Sequence, residues 1–119
     1  TSPWVMPGEY TIRLTIDGKI LTQKIKVIMD PRVKTSLKDL QKQHDLSLIC
    51  YHNTITCHDI LNHGKLQSVE ENQVNQFIGV FTRLINVLQD SDMIPSQHVS
   101  DAVKKSDLEF QKFRLTNQK

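Results

Sequence analysis

The sequence contains little of the material from which several common functional sites are built. Its four glycines, at positions 8, 18, 64 and 79, are each isolated, so no glycine-rich loop can cradle a phosphate group. No apolar run approaches the roughly 20 residues that a helix needs to span a bilayer. The net charge is only +2, and the lysines and arginines are spread along the chain, which argues against nucleic-acid binding.

Cysteine is also scarce, with only Cys50 and Cys57 in 119 residues. On one helix their Cα atoms would lie roughly 10.5 Å apart, at 1.5 Å per residue. A disulfide needs a Cα–Cα distance below about 7 Å. We therefore expect two reduced, partly buried thiols rather than a disulfide.

Histidines and a cysteine occur close together at His52, Cys57, His58 and His63, which raises the question of a metal site. Zinc needs about four converging ligands, whereas successive residues of a helix diverge by about 100°, so Cys57 and His58 point in different directions. The same divergence separates Cys57, His58 and Asp59, which have the right types for a nucleophile, a base and an orienting acid. The sequence therefore predicts no catalytic residue, no metal ligand and no cofactor.

The most regular feature that is present is a β-hairpin over residues 9–29. Apolar residues at positions 10, 12, 14 and 16 alternate with polar ones, the period of a half-buried strand. Asp17-Gly18 follows, a pair favoured in a two-residue type I′ turn because both positions need positive φ. Counting back from this turn places Leu14 opposite Leu21 and Tyr10 opposite Ile25, so these side chains share one face.

This hairpin is expected to need a partner, because an isolated hairpin is marginally stable in water. The partner is either the helices that follow or further strands upstream. The chain opens on Thr1 without an initiator Met, which we interpret as a cut inside a longer protein. The candidate interface combines the apolar hairpin side chains with the tryptophan of the preceding loop: Trp4, Tyr10, Ile12, Leu14, Leu21 and Ile25.

Three helices are predicted after Asp30-Pro31-Arg32, where proline cannot donate to the strand ladder. The first begins at Ser36, which together with Asp39 resembles a capping box, and it stops at Gly64. Poor helix propensity around residues 53–56 leaves open a bent or frayed middle. The apolar stripe of this helix is predicted to comprise Leu37, Leu40, His44, Leu48, Tyr51 and Ile55.

The second helix is predicted to begin at a capping box of Ser68 and Glu71 and to end near Gln89. The third begins at Pro95 or Ser96. Short connections favour an antiparallel three-helix bundle. The fold class is therefore α+β, with a β-hairpin segment of a truncated sandwich-like domain over residues 1–31 and a three-helix bundle over residues 32–119. The apolar positions of the last two helices recur at three- and four-residue steps: Val74, Phe77, Ile78, Phe81, Leu84, Ile85 and Leu88, then Val99, Ala102, Val103, Phe110 and Phe113.

The hairpin and the start of the first helix also carry a family resemblance. Residues 4–18 resemble a strand-and-turn of the form PGxYxVRLxVDG, and residues 22–33 resemble an ending of the form TxPLxVxxDPRV. Residues 39–43 resemble the start of the helix that follows it. Together these segments are similar to the C-terminal region of large secreted bacterial proteins with a sialidase-type (BNR-repeat) or sortilin-like β-propeller, often labelled glycosyl hydrolases.

The resemblance implies an exported protein, extracellular or periplasmic, in which the hairpin forms the last strands of an immunoglobulin-like or fibronectin-like sandwich. It implies no activity for this chain, because no catalytic residue of the propeller lies in this stretch. The expected function is a non-catalytic structural or interaction module that contacts the neighbouring propeller or sandwich domain of the same longer protein. A second copy could also pair with the hairpin edge and form a homodimer.

Two other functions remain open at this point. The chain could be an accessory part of a glycoside-hydrolase-like enzyme, in which Trp4 or Tyr51 contacts a glycan. It could also be an independent domain whose helices hold a partner in a groove.

Overall fold

The computed structural model describes residues 2–90 and 94–117. The described elements are β1 (Gly8–Ile16), β2 (Lys19–Val27), α1 (Leu37–His63), α2 (Ser68–Gln89) and α3 (Gln97–Thr116). This is the predicted α+β order of a hairpin followed by three helices. The chain divides into two compact units, of which one is Val5–Lys34 and the other contains the helices together with the first residues up to Trp4.

The hairpin has the predicted register. β1 and β2 pair antiparallel without interruption, and Leu14 lies opposite Leu21. The connecting turn has two residues, Asp17 with φ of 48° and Gly18 with φ of 77°. Both lie in the left-handed region, where glycine has no steric cost and aspartate is one of the better tolerated alternatives. The turn therefore sets the register of the whole ladder.

A second tight turn, at residues 30–33, follows β2. The Asp30 carboxylate accepts a hydrogen bond from the backbone N–H of Arg32 at 2.9 Å and forms an ion pair with its guanidinium at 2.6 Å. The backbone N–H of Val33 donates to the Asp30 carbonyl at 2.9 Å. The hydrogen bonds from Arg32 hold the pKa of Asp30 below its usual value. The Asp-Pro-Arg-Val sequence thus ends the strand through its own side chains as well as through proline.

The first helix begins and ends where the sequence predicts. The Ser36 hydroxyl accepts the backbone N–H of Asp39 at 3.1 Å, and the helix ends at His63, one residue before Gly64. Gly64 has φ of −79°, so its role is not to adopt a left-handed conformation. A Cβ at this position would clash with the carbonyl oxygen of Ile60, which accepts the Gly64 N–H at 2.8 Å. Glycine is required here because two backbone segments approach closely.

The middle of α1 is continuous, so the frayed middle left open by the sequence does not occur. The hydroxyl of Thr54 donates to the Cys50 carbonyl, and that of Thr56 donates to the His52 carbonyl, each at 2.9 Å. These bonds return to the preceding turn of the same helix and leave its path intact. Asn53 is buried, and its tertiary contacts outweigh the low helix propensity of residues 53–56.

The predicted apolar stripe of α1 is confirmed at Leu40, which is buried, and at Tyr51, which packs on the core, but it is wrong at both ends. Leu37 and Ile55 are exposed, whereas small and polar residues occupy the core-facing side. The difference amounts to a rotation by about one residue, or roughly 100°. The prediction followed the large aliphatic side chains, but the helix packs through residues with little apolar signal. The buried residues of α1 are Leu40, Gln43, Leu46, Ser47, Cys50, Asn53 and Cys57.

The N-cap of the second helix lies one residue earlier in the sequence than predicted. It is Gln67, whose backbone N–H donates to the Glu70 carboxylate at 2.9 Å. The predicted pair of Ser68 and Glu71 is therefore not the cap, because Ser68 is already helical. Two adjacent glutamates made both registers possible from sequence. The end at Gln89 and the apolar face of this helix are confirmed.

An aromatic cluster joins α2 to α3. Phe77 lies with its ring centroid 5.1 Å from that of Phe110 and 5.7 Å from that of Phe113. Phe81 and Phe110 are fully buried, with centroids 5.8 Å apart in an edge-to-face arrangement that aromatic rings prefer. Since the first half of α2 meets the second half of α3, these two helices run antiparallel.

A polar network joins α1 to α3. The Asn53 side-chain amide donates to the Asp107 carboxylate at 2.8 Å, and the Gln111 amide donates to the same oxygen at 3.2 Å. Arg114 in turn donates to the Gln111 carbonyl oxygen at 3.2 Å. Residues at the ends of α1 and of α3 also line one cleft at the same end of the bundle, so these two helices run parallel. Gln43 donates to the carbonyl of Leu88, which fixes α1 and α2 as an antiparallel pair.

None of the helices in the described part of the chain is both long enough and apolar enough to cross a membrane.

Candidate interaction surface

One face of the hairpin is largely apolar, interrupted by Gln23 opposite Ile12 and by Lys19 opposite Ile16, and it is the strongest candidate surface among the described residues. Alternation along β1 and the cross-strand pairing bring large side chains from both strands to this side. Six of these side chains are exposed, and each has between 37% and 62% of its surface accessible. The apolar face comprises Tyr10, Ile12, Leu14, Ile16, Leu21, Ile25 and the half-buried Val27.

The opposite face of the hairpin is polar. Its only large aliphatic residue is Ile20, next to Thr15. Opposite charges face each other at Glu9 and Lys26, which are direct cross-strand partners. A sheet with one apolar and one charged face is typical of a sheet that packs on another layer with one side only. The remaining residues of the polar face are Thr11, Arg13, Thr22 and Lys24.

Tyr10 is held in place at one end of the apolar face. Its hydroxyl donates to the backbone carbonyl of Met6 at 2.6 Å. The polar end of the side chain is thus satisfied by the loop before β1, so the tyrosine adds apolar area without an unpaired hydroxyl.

Trp4, the remaining predicted interface residue, belongs to the helical unit rather than to the hairpin unit. Its backbone carbonyl accepts a hydrogen bond from Nδ1 of His44 at 2.8 Å, while its side chain is 55% exposed. The Ser2 carbonyl similarly accepts the side-chain amide of Gln89 at 2.9 Å. The start of the chain is thus anchored on α1 and α2 through its backbone, and the indole is left accessible.

The two cysteines cannot act as nucleophiles near neutral pH. Cys50 and Cys57 are both free thiols with no exposed surface, as expected of reduced and buried cysteines. Burial raises the pKa of each thiol to about 12. The thiolate is the reactive form, so these residues behave as small apolar core residues.

The histidines do not assemble into a site. Within residues 2–90 and 94–117, no three histidine, cysteine or acidic side chains converge in a way that could hold a metal ion. Cys57 is buried, whereas His58 and Asp59 are exposed. Nδ1 of His63 hydrogen-bonds the backbone carbonyl of Asp59 at 3.2 Å, not its carboxylate.

A cleft of about 920 Å³ lies at the end of the bundle where α1 ends, α2 begins and α3 ends. Ile60, Leu66 and Phe113 supply apolar surface, and Lys65 and Arg114 supply positive charge. The other side chains of the cleft are largely committed to the local backbone: the Glu70 carboxylate accepts the Gln67 N–H, and the Thr56 and Thr116 hydroxyls donate within their own helices. The cleft has the size of a ligand site but lacks a nucleophile with an adjacent base.

Comparison with known proteins adds no family assignment: no protein-family model matches the chain, no curated protein matches it, and no solved structure matches it.

The structure also contains a feature that the sequence did not indicate, the network of Asn53, Asp107 and Gln111. An asparagine in the middle of a long helix, flanked by residues of low helix propensity, was the available signal. That signal indicates an unusual position, and the partner residues on α3 are too distant in sequence to be identified from it.

Proposed function

We propose that this chain is a non-catalytic structural or interaction module in which the apolar face of the hairpin packs on a neighbouring domain of a larger protein. The observation that carries the proposal is the largely apolar face, whose exposed apolar side chains are 37–62% accessible. Patches of this kind mark contact sites more often than they mark free surface. Full burial of a leucine or isoleucine side chain contributes roughly 1.5–3 kcal/mol, so covering the exposed half contributes about 1 kcal/mol per residue.

The neighbour that fits this surface is the inner face of a second β-sheet. Sheets of a sandwich pack through alternating apolar side chains, with their charged faces outside. The hairpin has this polarity, because its other face carries Glu9, Arg13, Lys24 and Lys26. In the proposed parent, an exported β-propeller protein, the hairpin ends an immunoglobulin-like or fibronectin-like sandwich and the helices follow it.

The surface is tested on the full chain with the dye anilinonaphthalene sulfonate, which fluoresces on exposed apolar surface. Leu21→Thr and Ile20→Thr are matched variants, because the two residues are adjacent, are 62% and 60% exposed, and lie on opposite faces. We expect Leu21→Thr to lower dye fluorescence and Ile20→Thr to leave it near the wild-type value. Equal effects of the two variants would contradict the assignment of the apolar face as the interface.

The non-catalytic part of the proposal is tested with a panel of nitrophenyl glycosides. We expect no turnover by the chain. Turnover that Asp59→Asn or Glu70→Gln abolishes would show that the cleft is an active site and would refute the proposal. The parent architecture is tested by reading the coding sequence upstream of residue 1, where sialidase-type repeats and a sandwich domain are expected; an initiator codon directly before Thr1 would contradict it.

Glycan binding is the second candidate function, favoured by the exposed indole of Trp4. Tyr51 is a weaker contact because it is half-buried and packs against the helical core. Trp4 is the only tryptophan of the chain, so its fluorescence reports on it alone. Quenching or a spectral shift on addition of oligosaccharides would support this function. Because Trp4→Phe removes the fluorophore itself, the expected loss of binding in this variant is measured by calorimetry, and unchanged calorimetric binding would contradict the role of Trp4.

A further inference from the structure

The two edges of the hairpin offer different backbone groups to an added strand. A two-residue turn is closed by a hydrogen-bonded pair, here Ile16 and Lys19, and every second pair along the antiparallel ladder bonds in the same way. The N–H and C=O groups of the intervening residues therefore point outward. On β1 these residues are Glu9, Thr11, Arg13 and Thr15, and on β2 they are Ile20, Thr22, Lys24 and Lys26.

The β2 edge is protected against strand addition. Lysines on an edge strand discourage pairing with another chain, and two of the outward residues of β2 are lysines. Any antiparallel self-pairing of β2 centred on Lys24 places that lysine opposite its own copy. The outward residues of β1 instead include one acid, one base and two β-branched threonines, a composition that favours strands.

We propose that β1 pairs antiparallel with β1 of a second copy of this chain, about a two-fold axis at Thr11, to give a four-stranded sheet. In this register Glu9 lies opposite Arg13 of the partner subunit, and by symmetry Arg13 lies opposite Glu9 of the partner subunit. Glu9 then stands between Lys26 of its own hairpin and a second positive charge, so the row of charges alternates in sign.

The charges of β1 favour this register because only an axis at Thr11 brings Glu9 opposite Arg13 of the partner subunit. An axis at Tyr10 or at Ile12 places Glu9 opposite a threonine and so forgoes the ion pair. An axis at Arg13 places two arginines opposite each other, and an axis at Glu9 places two glutamates opposite each other, which is destabilising. On the other face, the axis at Thr11 places Tyr10 opposite Ile12 of the partner subunit, an aromatic and β-branched pair that stabilises sheets.

Edge pairing extends the apolar face and does not cover it. The seven apolar positions of each hairpin become one surface across four strands. The dimer does not compete with a second sheet for the apolar face, but it does occupy the β1 edge that an upstream strand of the proposed sandwich could use. A monomeric chain would leave the dye experiment unchanged, and a failed dye experiment would leave the dimer unchanged.

The edge is tested with the matched proline variants Thr11→Pro and Thr22→Pro. Thr11→Pro removes one outward N–H from β1, and Thr22→Pro removes one from β2. Neither removes a hydrogen bond within the hairpin, and proline is tolerated at edge positions of this kind. By sedimentation velocity of the full chain over a range of concentrations, we expect the wild type and Thr22→Pro to dimerise and Thr11→Pro to remain monomeric. A monomeric wild type, or loss of the dimer in Thr22→Pro alone, overturns the proposal.

The register is tested by charge reversal, which also guards against a hairpin that fails to form in the proline variants. Arg13→Glu faces only Thr22 within its own hairpin, whereas Glu9→Arg also faces Lys26, so it is made together with Lys26→Glu. Across the interface each change converts two attractive pairs per dimer into repulsive ones and should raise the dimer dissociation constant roughly tenfold. Combining the two changes should recover most of this loss. Glu109→Arg, the same charge change at an exposed position of α3, is the control and should leave the constant unchanged. A combined variant that dimerises as weakly as either change alone refutes the register.

Discussion

Alkaline conditions should destabilise the helical unit through Cys50 and Cys57. Burial raises the pKa of each thiol from an ordinary value of 9.0 to about 12 in the folded chain. The negative charge of Asp107 adds to the increase at Cys50, whereas the positive charge of Arg114 opposes it at Cys57. The folded state therefore keeps both protons over a range of pH in which the unfolded state releases them.

The direction of the effect follows from proton binding. Below pH 9 both states hold the thiol protons and the cysteines contribute no pH dependence. Between pH 9 and about 12 the unfolded state binds fewer protons, so the free energy of unfolding falls as pH rises. One pKa unit corresponds to about 1.36 kcal/mol, so at about pH 10 the two thiols together cost about 3 kcal/mol. This is a large part of the roughly 5–15 kcal/mol that stabilises a small domain.

The assay is urea unfolding followed by far-ultraviolet circular dichroism, for the wild type and a Cys50→Ala/Cys57→Ala double variant. Lysines and tyrosines also titrate at high pH, but they do so in both proteins, so the difference between the two isolates the thiols. We expect the wild type to lose about 3 kcal/mol relative to the variant between about pH 8 and pH 10. Two parallel curves would show that the thiols are not held in a dry core and would refute the reasoning.

Three further substitutions test the packing of the helices. Gly64→Ala should lower the free energy of unfolding by about 1 kcal/mol or more, because the new methyl group meets the Ile60 carbonyl, and a melting curve will show it. Ser47→Ala should be neutral or stabilising in the same assay, since the buried hydroxyl has no hydrogen-bond partner among the described residues. Asn53→Ala should cost about 1–3 kcal/mol, and a double-mutant cycle with Asp107→Ala should give a coupling well above zero; additive costs would show that their hydrogen bond contributes nothing.

The hairpin could be derived almost completely from the sequence because its determinants are local. Asp17-Gly18 permits the positive φ values of one turn type, and that turn determines which residues lie opposite each other. The alternation of side chains then assigns each residue to a face. The apolar pattern of α2 is equally local, since phenylalanine, isoleucine and leucine recur at helical spacing and all face the core.

The face of α1 could not be derived in this way. Besides Cys50 and Cys57, whose burial the sequence did indicate, its core side contains Ser47 and Asn53, polar residue types that are mostly exposed in proteins. Asn53 is buried because Asp107 accepts its hydrogen bond, and the two are separated by 54 positions in sequence. The capping of α2 failed for a smaller reason, as adjacent glutamates offer two equivalent registers.

The candidate interface was predicted only in part for a related reason. Alternation identifies which side chains of a strand share a face, so the apolar face of the hairpin was accessible from sequence. The position of Trp4 was not, because a loop residue follows no period. Its placement depends on two backbone carbonyls that accept hydrogen bonds from His44 and Gln89, both on helices.

The apolar surface of this chain is distributed unevenly between its two units, and that unevenness is the physical basis of the proposed function. The helices bury a core among themselves, in which Phe81 and Phe110 are fully buried, although Val69, Leu108 and Leu115 stay exposed. Two strands cannot do the same, because both lie in one layer and an apolar sheet face needs a second layer to cover it. At about 1 kcal/mol per side chain, covering the apolar face is worth several kcal/mol. That free energy is comparable to the stability of a domain, and it becomes available only when another sheet packs on the hairpin. Under the proposed function, the hairpin therefore contributes less to the stability of this chain than to that of the proposed assembly.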